Sequence, residues 1–313
     1  MRVLVTGGAG FIGSNLCRRL SRTRGVTEIT VLDDLSTGNR SNLVGVDCEF
    51  VEGSILDAAV LAGAAQGADA IVHLAARPSV PRSINQPVAS HQVNASGTVA
   101  VLEAARQSGA HVTVASSSSV YGSNPALPKH EGLASRPLSP YAASKLATEA
   151  YANAYLHSYG LPTLAFRFFN VFGPYQPAGH AYAAVVPAFV DAALAGRPLT
   201  IYGDGRQSRD FTFVDTVTAV LADAVVRRVA DPEPVNLAFG SRTDLLTLIG
   251  LLEEQIGHSL KRDHQPVRPG DVPHSQADSS RLAKLFPNVE PASLETGLAA
   301  TVNWMRAVRG TEE

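Results

Sequence analysis

Short runs of apolar and β-branched residues alternate along the first half of the chain with longer Ala- and Leu-rich stretches of helical period. The short runs are apolar throughout rather than alternating, which is typical of strands buried on both faces of a parallel sheet. They predict strands at Arg2 to Thr6, Ile29 to Leu32, Ala70 to Leu74, Val112 to Ala115 and Leu164 to Phe168. This alternation of strands and helices predicts an α/β fold with a Rossmann-type doubly wound parallel sheet.

The pattern changes after about residue 170, where Gly and Pro interrupt the chain in FGPYQPAG, YGDGRQSRDF and RPGD. Loops of this kind often carry binding residues, so we expect a smaller C-terminal α/β domain that holds a substrate. Residues from about Phe213 to Gly240 again read as a helix followed by a strand, which predicts a return to the main sheet. The predicted division is residues 1–169 plus about 213–240 for one domain, and residues 170–212 and 241–313 for the other.

The charge balance and the cysteine content exclude several classes of protein. The 313 residues include 26 Lys and Arg against 28 Asp and Glu, which gives no basic stripe for a nucleic acid. Cys17 on the first predicted helix and Cys48 in a predicted strand are expected to be reduced core thiols. The histidines are not spaced as metal ligands. No signal sequence precedes the first strand and no apolar run reaches about 18 residues, so we expect a cytoplasmic protein that does not span a membrane.

A glycine-rich turn follows the first predicted strand. Gly7, Gly10 and Gly13 form G-x-x-G-x-x-G at the start of a helix, where glycines allow a pyrophosphate to approach the backbone and the helix N-terminus. The second strand ends at Asp33, whose carboxylate can accept both hydroxyls of an adenosine ribose and would repel a 2′-phosphate. The predicted cofactor is therefore NAD rather than NADP. The alternative for Asp33 or Asp34 is a solvated turn residue.

Tyr141 and Lys145 form the only Y-x-x-x-K in the chain, within SPYAASK. Ser139 is the predicted N-cap of a helix that runs to about Tyr159, and the i,i+4 spacing places both side chains on one face. An ammonium there can stabilise a phenolate and lower the pKa of the tyrosine, as a general base requires. The alternative is an ordinary pair on a helix surface.

Four serines, Ser116 to Ser119, follow the strand that ends near Ala115, just before Tyr121. The carboxyl end of that strand is expected to face the cofactor. At least one hydroxyl is therefore predicted to point at the substrate, with a simple polar loop as the alternative.

Taken together, these motifs resemble those of a known family. The glycine triplet, Asp33, HLAA (His73 to Ala76), SSSxVYG, YxxSK and RFFNVFGP look like the extended short-chain dehydrogenase/reductase family. Within it the chain most resembles the UDP-glucose and UDP-N-acetylglucosamine 4-epimerases, through SVPRSI, RFFNVFGP, GDGRQSRDF and RPGDVPHS. The resemblance covers about residues 1–306.

The resemblance implies a role for each matching residue. The catalytic residues are Ser117, Tyr141 as the base, and Lys145. The residues expected to bind NAD are Gly7, Gly10, Phe11, Ile12, Gly13, Asp33, Asp34, Ser54, Ile55, Leu74, Ala75, Ala76, Asn94, Tyr141, Lys145 and Phe168. Ser54 stands where many relatives have an Asp that touches adenine, so the adenine contact is expected to differ here.

A UDP-sugar is the implied substrate. The residues expected to bind it are Ser79, Ser117, Ser118, Tyr141, Asn170, Ala184, Val185, Tyr202, Arg209, Arg268, Asp271 and Ser275. Two arginines, Arg209 and Arg268, can grip a diphosphate with forked, charge-assisted hydrogen bonds. The alternative for each is a surface salt bridge.

The residues in the serine segment and the loop that follows decide between related reactions. A 4,6-dehydratase needs an acid and a base at the positions of Ser118 and Ser119, and serines cannot serve. A uronate-processing enzyme would need a cation, and Gln176 to His180 contain no Arg, although His180 keeps that option open. Ser275 is small, so the site is expected to accept plain and N-acetylated hexoses.

We therefore predict NAD-dependent C4 epimerisation of a UDP-hexose through a 4-keto intermediate. The alternatives are a nucleotide-sugar 4,6-dehydratase, a UDP-glucuronate 4-epimerase and a non-catalytic NAD-binding scaffold. The resemblance also implies a homodimer, paired through the Ala-rich helices around Val93 to Gln107 and Tyr141 to Tyr159. His73 is expected to be packed or bonded to backbone rather than catalytic.

Overall fold

The computed structural model describes residues 1–179, 183–267 and 273–310. Its strands are β1 (Arg2–Thr6), β2 (Glu28–Asp33), β3 (Glu49–Glu52), β4 (Ala70–His73), β5 (His111–Ser117), β6 (Thr163–Phe168), β7 (Asn170–Phe172), β8 (Leu199–Tyr202), β9 (Ser208–Arg209), β10 (Phe211–Phe213), β11 (Val235–Leu237), β12 (Thr243–Asp244) and β13 (Arg262–Gln265).

Seven parallel strands form the central sheet, in the order β11-β6-β5-β4-β1-β2-β3. The chain order reverses between β1 and β4, and in such sheets the carboxyl ends of the strands at this point form a ligand crevice. The predicted α/β doubly wound fold is confirmed.

The helices are α1 (Phe11–Leu20), α2 (Ala58–Ala65), α3 (Val80–Asn85), α4 (Pro87–His91), α5 (Gly97–Ser108), α6 (Pro140–Tyr159), α7 (Val185–Leu194), α8 (Val214–Arg227), α9 (Leu245–Ile256), α10 (Ser280–Leu285) and α11 (Leu294–Gly310). A π-helical stretch, Gln92–Ser96, joins α4 to α5. None of these helices combines the length and the hydropathy that crossing a membrane requires.

Apolar side chains pack on both faces of the central sheet. Val3 and Val5 belong to one core with α1 and α8, whereas Leu4 belongs to another core with residues of α2, α5 and α6. Successive residues of a strand point to opposite faces, so a strand buried on both sides must be apolar at every position. This explains the continuous apolar runs in the sequence.

A third core lies outside the central sheet. It is built by α7, α9 and α11 with the short strand β8, and its buried residues include Val190, Leu199, Leu248 and Met305. Three small two-stranded sheets, β7 with β10, β8 with β13 and β9 with β12, lie in this part of the chain.

Most predicted elements lie within one or two residues of their observed bounds. The stretch from Phe213 to Gly240 contains α8 and β11, and β11 pairs with β6 in the central sheet through Val235 and Phe166, as predicted. The prediction for Cys48 is wrong in two respects. Cys48 precedes β3 and is only half-buried, whereas Cys17 is buried in α1. β3 is an edge strand, so it has a neighbouring strand on one side only and is less covered than a central strand.

Candidate active site

One cavity of about 970 Å³ runs along the carboxyl edge of the sheet and between the two halves of the chain. The predicted residues that line it are Gly7, Gly10, Phe11, Ile12, Gly13, Asp33, Asp34, Ser54, Ile55, Leu74, Ala75, Ala76, Ser79, Ser117, Tyr141, Lys145, Phe168, Asn170, Ala184, Val185, Tyr202 and Arg209. Asn94, Ser118 and Ser275 lie outside this lining. Arg268, Asp271 and His180 lie outside the described residues.

The glycine turn leaves no room for side chains. Gly7 has a φ of +72°, and a Cβ there would lie 2.6 Å from the backbone N of Ala75. A Cβ on Gly13 would lie 2.2 Å from the carbonyl oxygen of Gly7. Gly10 is the N-cap of α1 and provides no side-chain cap. This part of the cavity is therefore a cradle of backbone at a helix N-terminus, which suits a pyrophosphate.

Asp33 closes the cavity at the end of β2. Its Oδ2 accepts a hydrogen bond from Ala9 N at 2.9 Å and its Oδ1 accepts one from Leu35 N at 2.9 Å. Burial raises the pKa of this carboxyl, and the two backbone hydrogen bonds oppose the rise. Each oxygen has a second lone pair, so Asp33 can still accept hydrogen bonds from ribose hydroxyls. Asp34 is exposed and accepts from Ser36 N at 3.0 Å.

Ser54 lines the cavity beside Ile55, in place of the Asp expected from the resemblance. Its Oγ accepts a hydrogen bond from Leu56 N at 3.2 Å, which leaves the hydroxyl proton available to a ligand.

Ser117 lies at the end of β5 with its hydroxyl oriented by the backbone. Its Oγ accepts a hydrogen bond from Ser119 N at 3.2 Å. An oxygen that accepts this bond keeps its own proton for donation, here toward Tyr141. Ser118 begins a 3₁₀ turn, Ser118–Tyr121, that carries the chain away from the cavity.

Tyr141 lies in the first turn of α6. Ser139 caps this helix as predicted, since its Oγ accepts from Ala142 N at 3.1 Å. The backbone N of Tyr141 donates to Ser83 Oγ at 3.0 Å, which ties α6 to α3. Lys145 is buried one turn later, and its Nζ donates to the carbonyl oxygen of Ala115 at 2.8 Å.

The pKa of Tyr141 differs from the sequence-based prediction. Burial raises this pKa above its ordinary value, and the Ser117 hydroxyl opposes the rise. The expected lowering by Lys145 is wrong here, because burial has the larger effect on this pKa; the ammonium donates to the Ala115 carbonyl. Burial also lowers the pKa of Lys145 to about 8.

The side of the cavity that faces away from the glycine turn is formed by the second half of the chain. Asn170 begins β7, and Arg209 ends β9 with its Nη1 donating to the carbonyls of Ser208 at 3.0 Å and Pro273 at 3.3 Å. The neighbouring Asp210 is buried and accepts from Gly240 N and Ala277 N at 3.1 and 3.0 Å. Asp210 thus fixes the loop that carries Arg209.

Comparisons with known proteins bear on the whole chain. Residues 3–238 match the NAD dependent epimerase/dehydratase family. A UDP-glucose 4-epimerase of Mycolicibacterium smegmatis is 39% identical over 98% of this chain and 99% of its own length. A solved UDP-N-acetylglucosamine 4-epimerase of Methanobrevibacter ruminantium M1 has a TM-score of 0.91 at 35% identity, with 98% of each chain covered. The UDP-glucuronic acid 4-epimerase of Bacillus cereus, solved with UDP-glucuronic acid and NAD, has a TM-score of 0.88 at 30% identity and covers 98% of this chain and 100% of its own.

The chain belongs to the NAD-dependent epimerase/dehydratase family. The cofactor of this family is NAD, as predicted. The residues of this epimerase/dehydratase chain fit the cofactor, because the tight turn at Gly7 and Gly13 presents bare backbone at the N-terminus of α1 and Asp33 presents carboxylate oxygens rather than a cation.

Asn94 lies behind the cavity wall and does not line the cavity. It is buried in the π-helical stretch, accepts from Arg77 N at 2.7 Å and donates to Ser144 Oγ at 3.0 Å. Its amide thus connects the loop after β4 to α6 rather than lining the cavity. A π-helical turn is common at functional sites, but no pattern in this sequence distinguishes it from an α-helical turn.

Two groups of residues near the cavity were not predicted from the sequence. Arg77 directly follows HLAA and lines the cavity. Its Nε is buried with no hydrogen-bond partner among the described residues. Glu149 and Arg167 form a buried ion pair behind β5. The position of Glu149, four residues after Lys145, could have marked it as a member of the same helix face.

His73 is buried between two hydroxyl groups rather than bonded to backbone. Its Nδ1 lies 2.8 Å from Thr6 Oγ1 and its Nε2 lies 3.2 Å from Thr98 Oγ1. Thr98 donates to the Asn94 carbonyl at 2.6 Å, so it accepts from Nε2–H of a neutral ring. Burial, followed by the charge of Lys145, lowers the pKa of His73 to about 3.

The neutral state of His73 predicts a specific pH dependence of stability. The unfolded chain binds a proton at this histidine near pH 6.5 but the folded chain only near pH 3, so stability falls as the pH falls between these values. From pH 7 to pH 5 we expect the free energy of unfolding of the wild type to fall by about 2 kcal/mol more than that of His73→Asn. Urea unfolding of both proteins at each pH measures this. A difference between the two that does not change with pH would contradict the neutral, buried assignment.

Proposed function

We propose that this enzyme catalyses NAD-dependent C4 epimerisation of a UDP-hexose, interconverting UDP-glucose and UDP-galactose or their N-acetylated forms. Residues 1–169 with about 213–240 would hold NAD, and residues 170–212 with 241–313 would hold the nucleotide sugar. The proposal rests on Ser117 and Tyr141 lining the same cavity as the glycine turn, Asn170 and Arg209.

The observation that carries the proposal is that, among the described residues, no carboxylate lines the cavity beside Tyr141. The acidic residues that line the cavity, within the described ranges, are Asp33, Asp34 and Asp191. Asp191 is paired with Arg197 and Arg309. Asp33 ends β2, three strands from β5, a distance of about 14 Å at the usual spacing. Eliminating water from a sugar needs an acid and a base at C5 and C6, so this arrangement disfavours a dehydratase.

The cavity side chains can perform the proton transfers of an epimerase. NAD, when bound, supplies a hydride acceptor for C4 and, when oxidised, a positive charge that favours a tyrosine phenolate. Tyr141 takes the O4 proton as the sugar becomes a 4-keto sugar, and returns that proton once the opposite face of C4 has been reduced. The Ser117 hydroxyl donates toward the phenol oxygen of Tyr141. Asn170 and Arg209 hold the diphosphate while the sugar turns.

Arg77 favours a second candidate, epimerisation of a UDP-uronate. The sequence offered no cation for a carboxylate in the loop from Gln176 to His180, but the structure places this guanidinium in the cavity wall. Its Nη2 donates to Gln86 Oε1 at 2.6 Å, and its buried Nε–H has no hydrogen-bond partner among the described residues. A sugar carboxylate could accept that hydrogen bond.

The test is to incubate the purified enzyme, without added cofactor, with UDP-glucose, UDP-N-acetylglucosamine, UDP-glucuronic acid or dTDP-glucose, and to identify the products by NMR. We expect the C4 epimer of a neutral UDP-hexose as the main product with no net NADH. Preference for UDP-glucuronic acid in the wild type, lost in Arg77→Gln, would favour the second candidate. Loss of water or carbon dioxide from any sugar would contradict both.

We also propose that the enzyme is a homodimer paired through α5 and α6. The outer face of α6 carries the exposed small residues Ala143, Ala150 and Ala154, and Tyr151 beside them is 43% exposed. Small side chains let helices approach closely. Light scattering coupled to gel filtration gives the mass in solution. A monomer at micromolar concentration would contradict this arrangement.

A further inference from the structure

A buried ion pair lies behind the cavity wall, outside the predicted set of site residues. Arg167 of β6 donates from Nε and Nη2 to the two carboxylate oxygens of Glu149 of α6, at 2.9 and 2.8 Å. The side chains are only 4% and 7% exposed. This is a forked, charge-assisted pair with a fixed geometry.

The same carboxylate holds the end of β5. Ser116 Oγ donates to Glu149 Oε1 at 2.5 Å. Ser116 and Arg167 are register partners in the parallel pair of β5 and β6, so their side chains lie on the same face of the sheet and reach one carboxylate. Ser117, which carries the hydroxyl directed at Tyr141, is the next residue of β5.

Glu149 also lies on the helix face that carries the cavity residues. Tyr141, Lys145 and Glu149 are spaced by four residues along α6, which places them on one side of the helix. Lys145 Nζ donates to the Ala115 carbonyl, and Ser116 Oγ lies 3.4 Å from the Lys145 carbonyl. Three contacts, one made by Ala115 and two by Ser116, therefore join the end of β5 to one face of α6.

Stability alone does not explain a charged pair at this place. Desolvation of two buried ions offsets most of their attraction, and well-packed apolar side chains of similar volume are often as stabilising. The pair instead fixes the orientation of the Glu149 carboxylate, because a carboxylate that accepts three hydrogen bonds cannot rotate freely. Arg167 is fixed in turn, with its guanidinium 4.7 Å from the centre of the Tyr121 ring and Nη1 donating to the Glu131 carbonyl at 3.3 Å.

We propose that Glu149 is a positioning residue that, with Arg167, sets the placement of Ser117 relative to Tyr141. Glu149 acts through Ser116 and touches neither substrate nor cofactor. The inference deepens the proposed epimerase function, on which its kinetic test rests, and it has a second test that needs no substrate.

The substrate-free test is the pKa of Tyr141, measured as the tyrosinate absorbance of each protein minus that of the same protein carrying Tyr141→Phe. In Glu149→Gln and in Ser116→Ala, we expect this pKa to rise by about one pH unit, the size of one lost hydrogen bond to the phenolate. Ser116→Ala leaves the Glu149–Arg167 pair intact, so this variant alone tests the positioning role if Glu149→Gln does not fold.

The kinetic test separates positioning from a general loss of stability. Both variants should reduce kcat about tenfold and keep KM within about twofold of the wild type. They should also shift the acid limb of the pH profile of kcat to higher pH. A loss of folded protein would lower the rate equally at every pH and leave the limb in place. Asp223→Asn removes a carboxylate from an exposed Asp223–Arg227 pair on α8, at 2.7 Å, and should change neither quantity.

The outcomes are distinguishable from failure of the proposed function. A Tyr141 pKa and a pH profile that are unchanged in both variants would overturn the positioning role. A raised Tyr141 pKa in both variants would support it even if the wild type epimerised none of the sugars, a result that would overturn only the epimerase proposal.

Discussion

Tyr141→Phe is expected to lower kcat for epimerisation by a factor of about 10³, because general acid–base groups contribute rate factors of this order. The substitution removes the phenol that the Ser117 hydroxyl faces and leaves the aromatic ring in place. NAD should still copurify with the variant, since the glycine turn and Asp33 are not altered and only the phenol hydroxyl of Tyr141 is lost from the set of cofactor residues. Initial rates by NMR and the NAD released on denaturation measure both quantities.

Tyr151→Phe is the matched control for that variant. Tyr151 lies on the same helix, α6, but its side chain is 43% exposed and does not line the cavity. It should retain the wild-type kcat within about twofold, because the change removes one hydroxyl from the proposed dimer face and leaves the cavity unaltered. Wild-type activity in Tyr141→Phe would rule out this tyrosine as the base.

Gly13→Ala is expected to remove NAD from the purified enzyme. The added methyl group would lie 2.2 Å from the Gly7 carbonyl oxygen and 2.6 Å from Gly8 Cα, so the backbone of the turn must move. A displacement that costs about 3 kcal/mol lowers the affinity for the cofactor about 100-fold. The ratio of NAD to protein after denaturation, determined by chromatography, measures the loss.

Gly63→Ala separates this local effect from a general sensitivity to Gly-to-Ala changes. Gly63 lies in α2, and a Cβ there would meet nothing within 4 Å. Alanine favours a helix over glycine by about 0.5 to 1 kcal/mol, so this variant should be slightly more stable and keep its NAD. A full complement of NAD in Gly13→Ala, with a normal thermal unfolding transition, would show that the turn is not the cofactor cradle.

The central sheet and the start of α6 could be predicted because their signals are local. The continuous apolar runs mark strands covered on both faces, and Ser139 before Pro140 and Tyr141 marks a helix N-terminus. The observed β1 has the predicted bounds. These features depend on residues close together in the sequence.

The features that could not be predicted depend on contacts between distant residues. The bonds from Ser116 and Arg167 to Glu149 span 33 and 18 residues. The pKa of Tyr141 depends on burial and on the Ser117 hydroxyl of β5, and the Lys145 ammonium donates to the Ala115 carbonyl of the same strand. The i,i+4 spacing showed that the two side chains share a helix face, but not that the ammonium is bonded elsewhere.

The most direct test of the proposed chemistry uses UDP-glucose that carries deuterium at C4. If the hydrogen of C4 leaves and returns within one closed site, the UDP-galactose formed will carry deuterium at C4, with none lost to water. The NMR spectrum of the product distinguishes this from exchange. Loss of the label to solvent, or a product that has lost water, would contradict C4 epimerisation by oxidation and reduction in this cavity.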